Sequence, residues 1–297
     1  MRVFVTGASG WIGSAVLPEL IAAGHDVVGL ARSDASAAAV TALGASVLRG
    51  SLDDLDSLRT GAADADAVVH LAFKHDFTDY AGAGRTERAA ITAIGDTLAG
   101  SDRPFLFASG VALLTPGRVA TELDPNPTSG PDAPRGGAEQ LAFSYTDRGV
   151  RTVSLRFAPT VHGPGDHGFI AVLVRIARER GVSAHVGDGT NRWPAVHRFD
   201  AAALVRLALD HAPAGAIVHA VAEEGVPTKD IALAIGLGLG LPITPDAPAE
   251  HFSWLGPIFA ADIPASSTLT QKDLGWIPTH PTLIEDLAAG HYFRVTD

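Results

Sequence analysis

The sequence predicts an α/β protein with a doubly wound parallel sheet and a smaller C-terminal substrate lobe. Short apolar, β-branched runs alternate with longer helical patterns over the first half of the chain. The run at 65–71 is almost continuously apolar, as a parallel sheet covered on both faces requires. A glycine-rich turn follows the first apolar run. This alternation favours right-handed crossovers and strands that all run in the same direction.

The individual elements follow from the same periodicity. The predicted strands lie at 2–5, 26–30, 45–48, 65–71, 104–108 and 153–157. The predicted helices lie at 11–23, 33–43, 53–58, 86–98 and 132–148. Beyond residue 157 the pattern weakens and stretches dense in proline and glycine begin. We therefore predict one domain over 1–157, to which 200–221 return, and a smaller substrate-binding lobe formed by 158–199 and 222–297.

Composition excludes several classes of function. The chain has 33 acidic and 22 basic residues and a formal net charge of −11, so it has no surplus of cations for nucleic acid or an anionic membrane. It has no cysteine, which excludes disulfides and thiolate chemistry. The opening residues form too short an apolar run for a signal peptide, and no run is long enough to span a membrane. We expect a cytoplasmic protein.

The strongest chemical signal is the segment Thr6-Gly7-Ala8-Ser9-Gly10-Trp11-Ile12-Gly13. A predicted strand precedes it and a predicted helix follows it, which is the context of a Rossmann-type dinucleotide site. Gly7 permits the tight turn, Gly10 lets the backbone approach a diphosphate, and Gly13 lets the helix pack on the strand. We therefore predict that the first domain binds a nicotinamide dinucleotide, with Ser9, Trp11 and Ile12 in the binding turn.

The end of the second strand favours NADP over NAD. NAD-binding proteins usually place an acidic residue there to bind the ribose hydroxyls. Here Arg32 and Ser33 follow Ala31, and a guanidinium with a hydroxyl suits a 2′-phosphate. Asp34 lies one position further on and keeps NAD as the alternative.

At this point the sequence resembles the short-chain dehydrogenase/reductase superfamily, in its extended or atypical branch of the NAD-dependent epimerase/dehydratase type. The glycine segment carries the resemblance most specifically. Four further segments follow in the family's order: Val69-His70-Leu71-Ala72, Ala108-Ser109-Gly110, Leu155-Arg156-Phe157-Ala158-Pro159-Thr160-Val161-His162-Gly163-Pro164-Gly165, and Leu274-Gly275-Trp276-Ile277-Pro278.

The resemblance implies a role for each matching position. Ser51 and Leu52 stand where the family contacts adenine, although serine replaces an aspartate there. The segment Leu71-Ala72-Phe73 would run beside the cofactor riboses, and Pro159 and Val161 would pack against the nicotinamide. Ser109 matches the serine that hydrogen-bonds the reacting carbonyl or alcohol. The helices at about 86–99 and 132–148 commonly form a dimer face in relatives, which leaves a homodimer open while the sequence itself does not determine the oligomeric state.

One departure from the family concerns catalysis. The usual tyrosine, followed four residues later by lysine, is absent, because His70, Gly225 and Thr268 precede the three lysines by four positions. Alignment of the helix puts Arg135 at the lysine position and Pro131 at the tyrosine position. Arg135 would grip the nicotinamide ribose, but a guanidinium does not readily pass a proton.

Replacement proton donors lie in two loops. His75 is the first candidate and Tyr80 the second, since both follow the fourth strand at the sheet edge where such folds bind ligands. His162 and His167 follow the sixth strand and form an alternative cluster. The histidine and acidic spacings suggest no metal site.

Three functions remain open from the sequence. The first is an NADPH-dependent reductase of a small aldehyde or ketone, the second a sugar-nucleotide epimerase or dehydratase, and the third a non-catalytic NADP-binding sensor. The reductase is favoured, because Arg32 and the missing tyrosine count against the second and Ser109 with a complete second lobe against the third.

Overall fold

The computed structural model of the protein describes residues 1–74, 79–112 and 114–294. The strands are β1 (Arg2–Thr6), β2 (Asp26–Ala31), β3 (Ser46–Arg49), β4 (Ala67–His70), β5 (Pro104–Gly110), β6 (Arg151–Phe157), β7 (Thr160–His162), β8 (Ser183–Ala184), β9 (Arg192–His197), β10 (Ala216–Ala220), β11 (Glu223–Pro227) and β12 (Ile243–Thr244). The helices are α1 (Gly13–Ala22), α2 (Asp34–Ala42), α3 (Leu55–Ala63), α4 (Tyr80–Leu98), α5 (Ala138–Phe143), α6 (Phe169–Arg180), α7 (Arg198–His211), α8 (Thr228–Leu239), α9 (Gly256–Phe259), α10 (Thr268–Leu274) and α11 (Leu283–Ala288).

Within these residues, seven strands form one parallel sheet in the order β10-β6-β5-β4-β1-β2-β3. The predicted doubly wound fold is therefore confirmed. The chain reverses its direction of strand addition between β1 and β4, which is where sheets of this type bind ligands. Thr6 pairs with His70 and His70 with Phe107, so β1, β4 and β5 end at one edge of the sheet.

Apolar side chains cover both faces of this sheet. On one face Val3 and Val5 pack in a buried cluster with residues of α1 and α7. On the other face Phe4 and Val68 pack in a cluster with residues of α3 and α4. Trp276 also lies in the first cluster, although the sequence division puts it in the smaller lobe. Burial on both faces explains why the strands lack a polar side.

A separate apolar cluster holds the C-terminal part together. Trp193 of β9 packs edge-on against Phe259 of α9, with ring centroids 5.2 Å apart. The sheet of this part has the order β11-β9-β7, and β8 pairs with β12. Because β7 follows directly after β6, this small sheet begins beside the carboxyl edge of the large one.

Two predicted helices differ strongly from those observed, and the short helix predicted at 53–58 extends to Ala63. The helix at 132–148 is wrong: the chain forms a 3₁₀ turn at Pro134–Gly137, then α5, then a second 3₁₀ turn at Thr146–Arg148. Arg135 and the two following glycines have positive φ angles, so a right-handed helix cannot start before Ala138. The helix predicted at 86–98 starts earlier, at Tyr80, because the Asp79 carboxylate caps it by accepting the N–H of Gly82.

A buried ion pair joins α5 to β6. The Arg156 guanidinium is fully buried and donates to Glu139 at 3.0 Å and 2.5 Å. Ser154 donates to the same carboxylate at 2.8 Å. Burial opposes the charge on Glu139, but Arg156, Ser109 and Ser154 stabilise it, and the pKa of Glu139 lies below its ordinary value.

We predict that Glu139→Gln lowers the free energy of unfolding by about 3 kcal/mol, because it leaves the Arg156 charge buried without a counter-charge. Urea denaturation at pH 7 measures the loss. Glu179→Gln is the matched control, since Glu179 pairs with Arg175 at 3.8 Å on the surface and should lose less than about 1 kcal/mol. Equal losses in the two variants would show that the buried pair of Glu139 and Arg156 contributes no more to stability than a surface ion pair.

Candidate functional site

The turn after β1 makes a close contact with the end of β4. Gly7 has φ +68°, and a Cβ there would lie 2.7 Å from the Ala72 nitrogen. A Cβ on Gly13 would lie 2.1 Å from the Gly7 carbonyl oxygen. The Gly10 N–H donates to that same carbonyl at 2.9 Å. Side chains are therefore excluded at Gly7 and Gly13, and the turn keeps the narrow shape that a diphosphate requires.

The two residues before α1 present donors to this crevice. Within the described part of the chain, the N–H groups of Trp11 and Ile12 have no hydrogen-bond acceptor. The Trp11 indole is fixed by its N–H, which donates to the Val161 carbonyl at 2.7 Å. Ser9 is exposed beside them. Unpaired N–H groups at a helix N-terminus suit an anion, so this turn fits a dinucleotide diphosphate.

Two arginines, rather than one, lie close to the end of β2. Arg32 is exposed, and Ser33 caps α2. Arg49, at the end of β3, donates to the Ser33 carbonyl at 2.5 Å and forms an ion pair with Asp34. Sequence reasoning missed Arg49, because only the pairing of β3 with β2 brings it to this position.

Ser51 and Leu52, the residues expected to contact adenine, follow directly after the end of β3. Ser51 accepts the N–H of Asp53 at 3.3 Å, and Leu52 packs on the apolar cluster of α3 and α4. Lys74, past the end of β4, pairs with Asp53 at 2.5 Å. These contacts place the segment after β3 beside the segment after β4.

The expected nicotinamide contacts lie at the other end of the crevice. Leu71, Ala72 and Phe73 continue from β4, and the Ala72 N–H donates to the Thr6 hydroxyl at 3.3 Å. Val161 of β7 accepts the Trp11 indole, with Pro159 half-buried just before it. The structure thus brings these segments to the carboxyl edge of the sheet, where the glycine turn also lies.

Ser109 lies at the end of β5 and is only 8% exposed. Its hydroxyl is among the groups that hydrogen-bond Glu139 and lower the pKa of that carboxyl. Ser109 therefore connects the crevice to the buried pair of Glu139 and Arg156.

Arg135 adopts a backbone conformation that is uncommon for a residue with a side chain. Its φ is +53°, and Gly136 and Gly137 continue the left-handed turn. The guanidinium lies 4.3 Å from the centroid of the Phe73 ring and donates to the Ala108 carbonyl at 3.3 Å. Backbone strain of this kind costs about 1 kcal/mol and is concentrated at functional sites. The turn thus holds Arg135 next to Phe73 and Ser109.

Buried polar contacts connect Arg135 through Glu87 to His70 and Thr6. Glu87 of α4 is 1% exposed and lies 3.5 Å from Arg135 and 3.4 Å from the His70 Nε2. The His70 Nδ1 lies 2.7 Å from the Thr6 hydroxyl. Burial opposes the charge on Glu87, but His70 and Arg135 favour it, and the pKa of Glu87 lies below its ordinary value.

Sequence reasoning missed Glu87, although a signal was present. Glu87 falls on the same helical face as Ile91, Ile94 and Leu98, and all three are fully buried. An acidic residue on an apolar helix face needs a buried partner. That pattern indicates an internal charge pair, but it does not identify Arg135 as the partner.

Of the two first-choice proton donors, the structure describes only Tyr80. His75 lies outside the described residues. Tyr80 is 37% exposed, and its ring is 6.1 Å from the Phe73 ring. Of the other two tyrosines, Tyr145 hydrogen-bonds Asp96 at 3.1 Å and Tyr292 hydrogen-bonds Asp166 at 2.8 Å. Tyr80 is thus the tyrosine whose ring lies against Phe73.

The alternative histidine cluster divides into a buried and an exposed member. His162 is fully buried, and its Nδ1 lies 2.9 Å from Asp286. His167 is exposed and contacts the Trp11 ring edge-on at 5.5 Å. His162 belongs instead to a group of rings with His197, at 5.4 Å, and His280, which stacks on His197 at 4.9 Å.

Comparison with known proteins identifies the family. Residues 3–221 match the NAD dependent epimerase/dehydratase family. A protein of Schizosaccharomyces pombe, itself uncharacterised, is 47% identical over 99% of this chain and 100% of its own length. The 2′-dehydrokanamycin reductase of Streptomyces kanamyceticus is 29% identical over 84% of this chain and 70% of its own length.

A solved structure shows the same fold. The dTDP-glucose 4,6-dehydratase DesIV of Streptomyces venezuelae superposes with a TM-score of 0.78 at 21% identity, covering 98% of this chain and 96% of that one. The chain belongs to the NAD dependent epimerase/dehydratase family, and the resemblance drawn from its motifs is confirmed. It is an NAD(P)-dependent protein of the oxidoreductase type.

The described residues show neither a membrane-spanning helix nor a metal-binding cluster. None of their helices is long and apolar enough to cross a membrane. They also contain no group of three or more histidine and acidic side chains arranged to hold a metal ion.

We predict that His197 makes the protein less stable in acid. Burial, followed by the charge of His162, lowers the pKa of His197 from its usual 6.5 to about 4. The unfolded chain therefore binds the extra proton first, and stability falls as the pH decreases from about 6.5 to 4, by up to about 3 kcal/mol. Urea denaturation at pH 7 and pH 5 measures this. His197→Asn should show a smaller decrease, and an identical decrease in both proteins would contradict the assignment.

Proposed function

We propose that the protein is an NADPH-dependent oxidoreductase that reduces a small aldehyde or ketone. The observation that carries this proposal is the set of contacts around Phe73 at the carboxyl edge of the sheet. The Arg135 guanidinium stacks on one side of the ring at 4.3 Å, and the Tyr80 ring meets it at 6.1 Å. Arg135 also bonds the carbonyl of Ala108, the residue before Ser109. Arg135, the Tyr80 ring and the end of β5 thus lie around Phe73, where we propose that the nicotinamide binds.

Each side chain has a separate task in this proposal. When bound, the reduced nicotinamide supplies a hydride to the carbonyl carbon. Arg135 holds the nicotinamide ribose by hydrogen bonds, as its planar, multi-donor guanidinium permits. Ser109 hydrogen-bonds the carbonyl oxygen, and Tyr80 donates the proton that this oxygen needs.

Tyr80 replaces the missing family tyrosine from another element. In the family pattern the tyrosine and the cation lie four residues apart on one helix. Here the phenol comes from the start of α4 and the cation from the turn before α5. The left-handed turn at Arg135 leaves no helical position four residues earlier, so a phenol at this end of the crevice has to come from elsewhere.

The charges at the end of β2 support NADPH as the preferred cofactor. Arg32 is exposed, and Arg49 lies against the Ser33 carbonyl. Asp34, the residue that kept NAD open, forms an ion pair with Arg49. A carboxylate paired in this way competes less for ribose hydroxyls, and two guanidiniums favour a phosphate.

The relatives support a reductase acting on a carbonyl group. The 2′-dehydrokanamycin reductase matches most of this chain, and its name describes a reduction. A relative of 27% identity from Stenotrophomonas maltophilia is a 2-alkyl-3-oxoalkanoate reductase.

We predict that the purified protein oxidises NADPH in the presence of at least one member of a panel of aldehydes and ketones. Tyr80→Phe should lower kcat by about 10²–10⁴-fold with little change in the affinity for NADPH, because it removes the proton donor and leaves the binding turn intact. Loss of absorbance from the reduced nicotinamide measures the rate. Tyr145→Phe is the matched control and should keep kcat, since Tyr145 contacts Asp96 rather than Phe73.

The outcomes separate the alternatives. NADPH binding without turnover on any member of the panel would overturn the reductase and favour a sensor. Unchanged turnover in Tyr80→Phe, together with loss of turnover in His75→Ala, would assign the proton to His75.

We predict that Arg32→Asp weakens NADPH binding about 10–100-fold and largely spares NADH, because a carboxylate repels a 2′-phosphate and accepts ribose hydroxyls. Isothermal titration calorimetry with both cofactors measures the ratio. Arg59→Asp is the control, because Arg59 is an exposed arginine that pairs with Asp56 on α3. An equal loss for NADPH and NADH in Arg32→Asp would refute the phosphate contact.

A further inference from the structure

Arg198, the first residue of α7, reaches the first turn of α1. Its guanidinium lies 4.0 Å from the centroid of the Trp11 ring and donates to the Ser14 hydroxyl at 3.0 Å. Ser14 in turn donates to the Trp11 carbonyl at 3.3 Å. An arginine from beyond residue 157 therefore lies on the turn that contains Gly10, Trp11 and Gly13.

The charge of Arg198 has no close carboxylate in the described parts of the chain. No acidic oxygen there lies within 4.0 Å of it, and its Nε is buried without a hydrogen-bond partner. The charge of Asp166 acts on Arg198, but that carboxylate accepts the N–H of Gly168 at 2.6 Å and the Tyr292 hydroxyl at 2.8 Å. The guanidinium is thus held in place by the rings of Trp11 and Phe199 and by a neutral hydroxyl.

The position also has unfavourable electrostatics for a cation. Helix N-termini carry the positive end of the helix dipole, and Arg198 lies at the N-terminus of α7 and against that of α1. The first turn of α1 has no acidic residue. In α7, Asp200 accepts the N–H groups of Thr279 and His280. Asp200 lies in the first turn of α7, but its oxygens are taken up by these bonds, so an anion near Arg198 would be stabilised by the guanidinium and by the N-terminus of α1.

The surroundings keep Arg198 in this orientation. A Cβ on Gly163 would lie 3.1 Å from the Arg198 Cγ, and Gly163 has φ +147°, so a side chain there would be strained and glycine leaves the space that Arg198 occupies. The Trp11 indole cannot rotate away without losing its bond to Val161. The guanidinium is therefore pre-positioned beside the glycine turn.

We infer that Arg198 binds the diphosphate of the dinucleotide, adding a charged contact to the N–H groups of the glycine turn. The inference rests on the proposed dinucleotide site and extends it with a contact from α7. Because β9 leads directly into α7, this contact also ties the small sheet to the bound cofactor.

We predict that Arg198→Gln weakens the binding of NADPH and of ADP-ribose by about 10–100-fold, since a charge-assisted bond to the diphosphate is lost. Binding of adenosine 2′-monophosphate should not change, because that ligand has no diphosphate. Isothermal titration calorimetry gives the three affinities. Arg198→Lys should recover part of the loss, and Arg206→Gln is the matched control on the same helix, where Arg206 pairs with Glu19 and Asp210.

A second measurement separates binding from a structural role. Without ligand, Arg198→Gln should keep or raise the Tm, because it removes a cation from two positive helix ends. A clear fall in Tm with unchanged affinity for ADP-ribose would overturn the inference. So would a variant that raises the KM of the carbonyl substrate and leaves the affinity for NADPH unchanged. If the wild-type protein bound neither NADPH nor ADP-ribose, the proposed function itself would fail, and the inference with it.

Discussion

The close approach of the first glycine turn to the end of β4 is the constraint on which the site depends. Gly7 has no room for a Cβ, because the Ala72 backbone lies against it. The Thr6 hydroxyl accepts the Ala72 N–H and contacts His70, so one polar group joins the two strand ends. This contact fixes the crevice between the turn and β4, along which the proposed cofactor contacts lie.

Two buried carboxylates lie beneath the proposed reactive end of the crevice. Glu87 pairs with Arg135 and His70, and Glu139 pairs with Arg156. Both carboxylates have lowered pKa values despite burial, because cations and hydroxyls surround them. Each carboxylate also has a contact at the crevice, through Arg135 in one case and Ser109 in the other. Arg135 and Ser109, to which we assign roles in the reaction, are therefore supported by buried charges whose removal is costly.

The helix predicted at 132–148 shows where sequence reasoning fails. The alignment puts Arg135 at the family's lysine position, but it assumes the helix that normally carries that lysine. Two glycines after Arg135 permit a left-handed turn, and contacts with Phe73 and Glu87 stabilise it. A local pattern could not show this, because Phe73 and Glu87 are distant in sequence. The same turn explains why no tyrosine stands four residues before the cation.

The sequence by itself determined the fold class, the glycine turn and the arginine after β2, because these depend on local period and on positive φ at Gly7. Only the tertiary structure decided which side chains converge on the crevice. Arg135 hydrogen-bonds the Ala108 carbonyl, 27 positions earlier in the sequence, and Arg198 hydrogen-bonds Ser14, 184 positions earlier. Such partners are chosen by packing of separate elements, and no spacing along the chain encodes them.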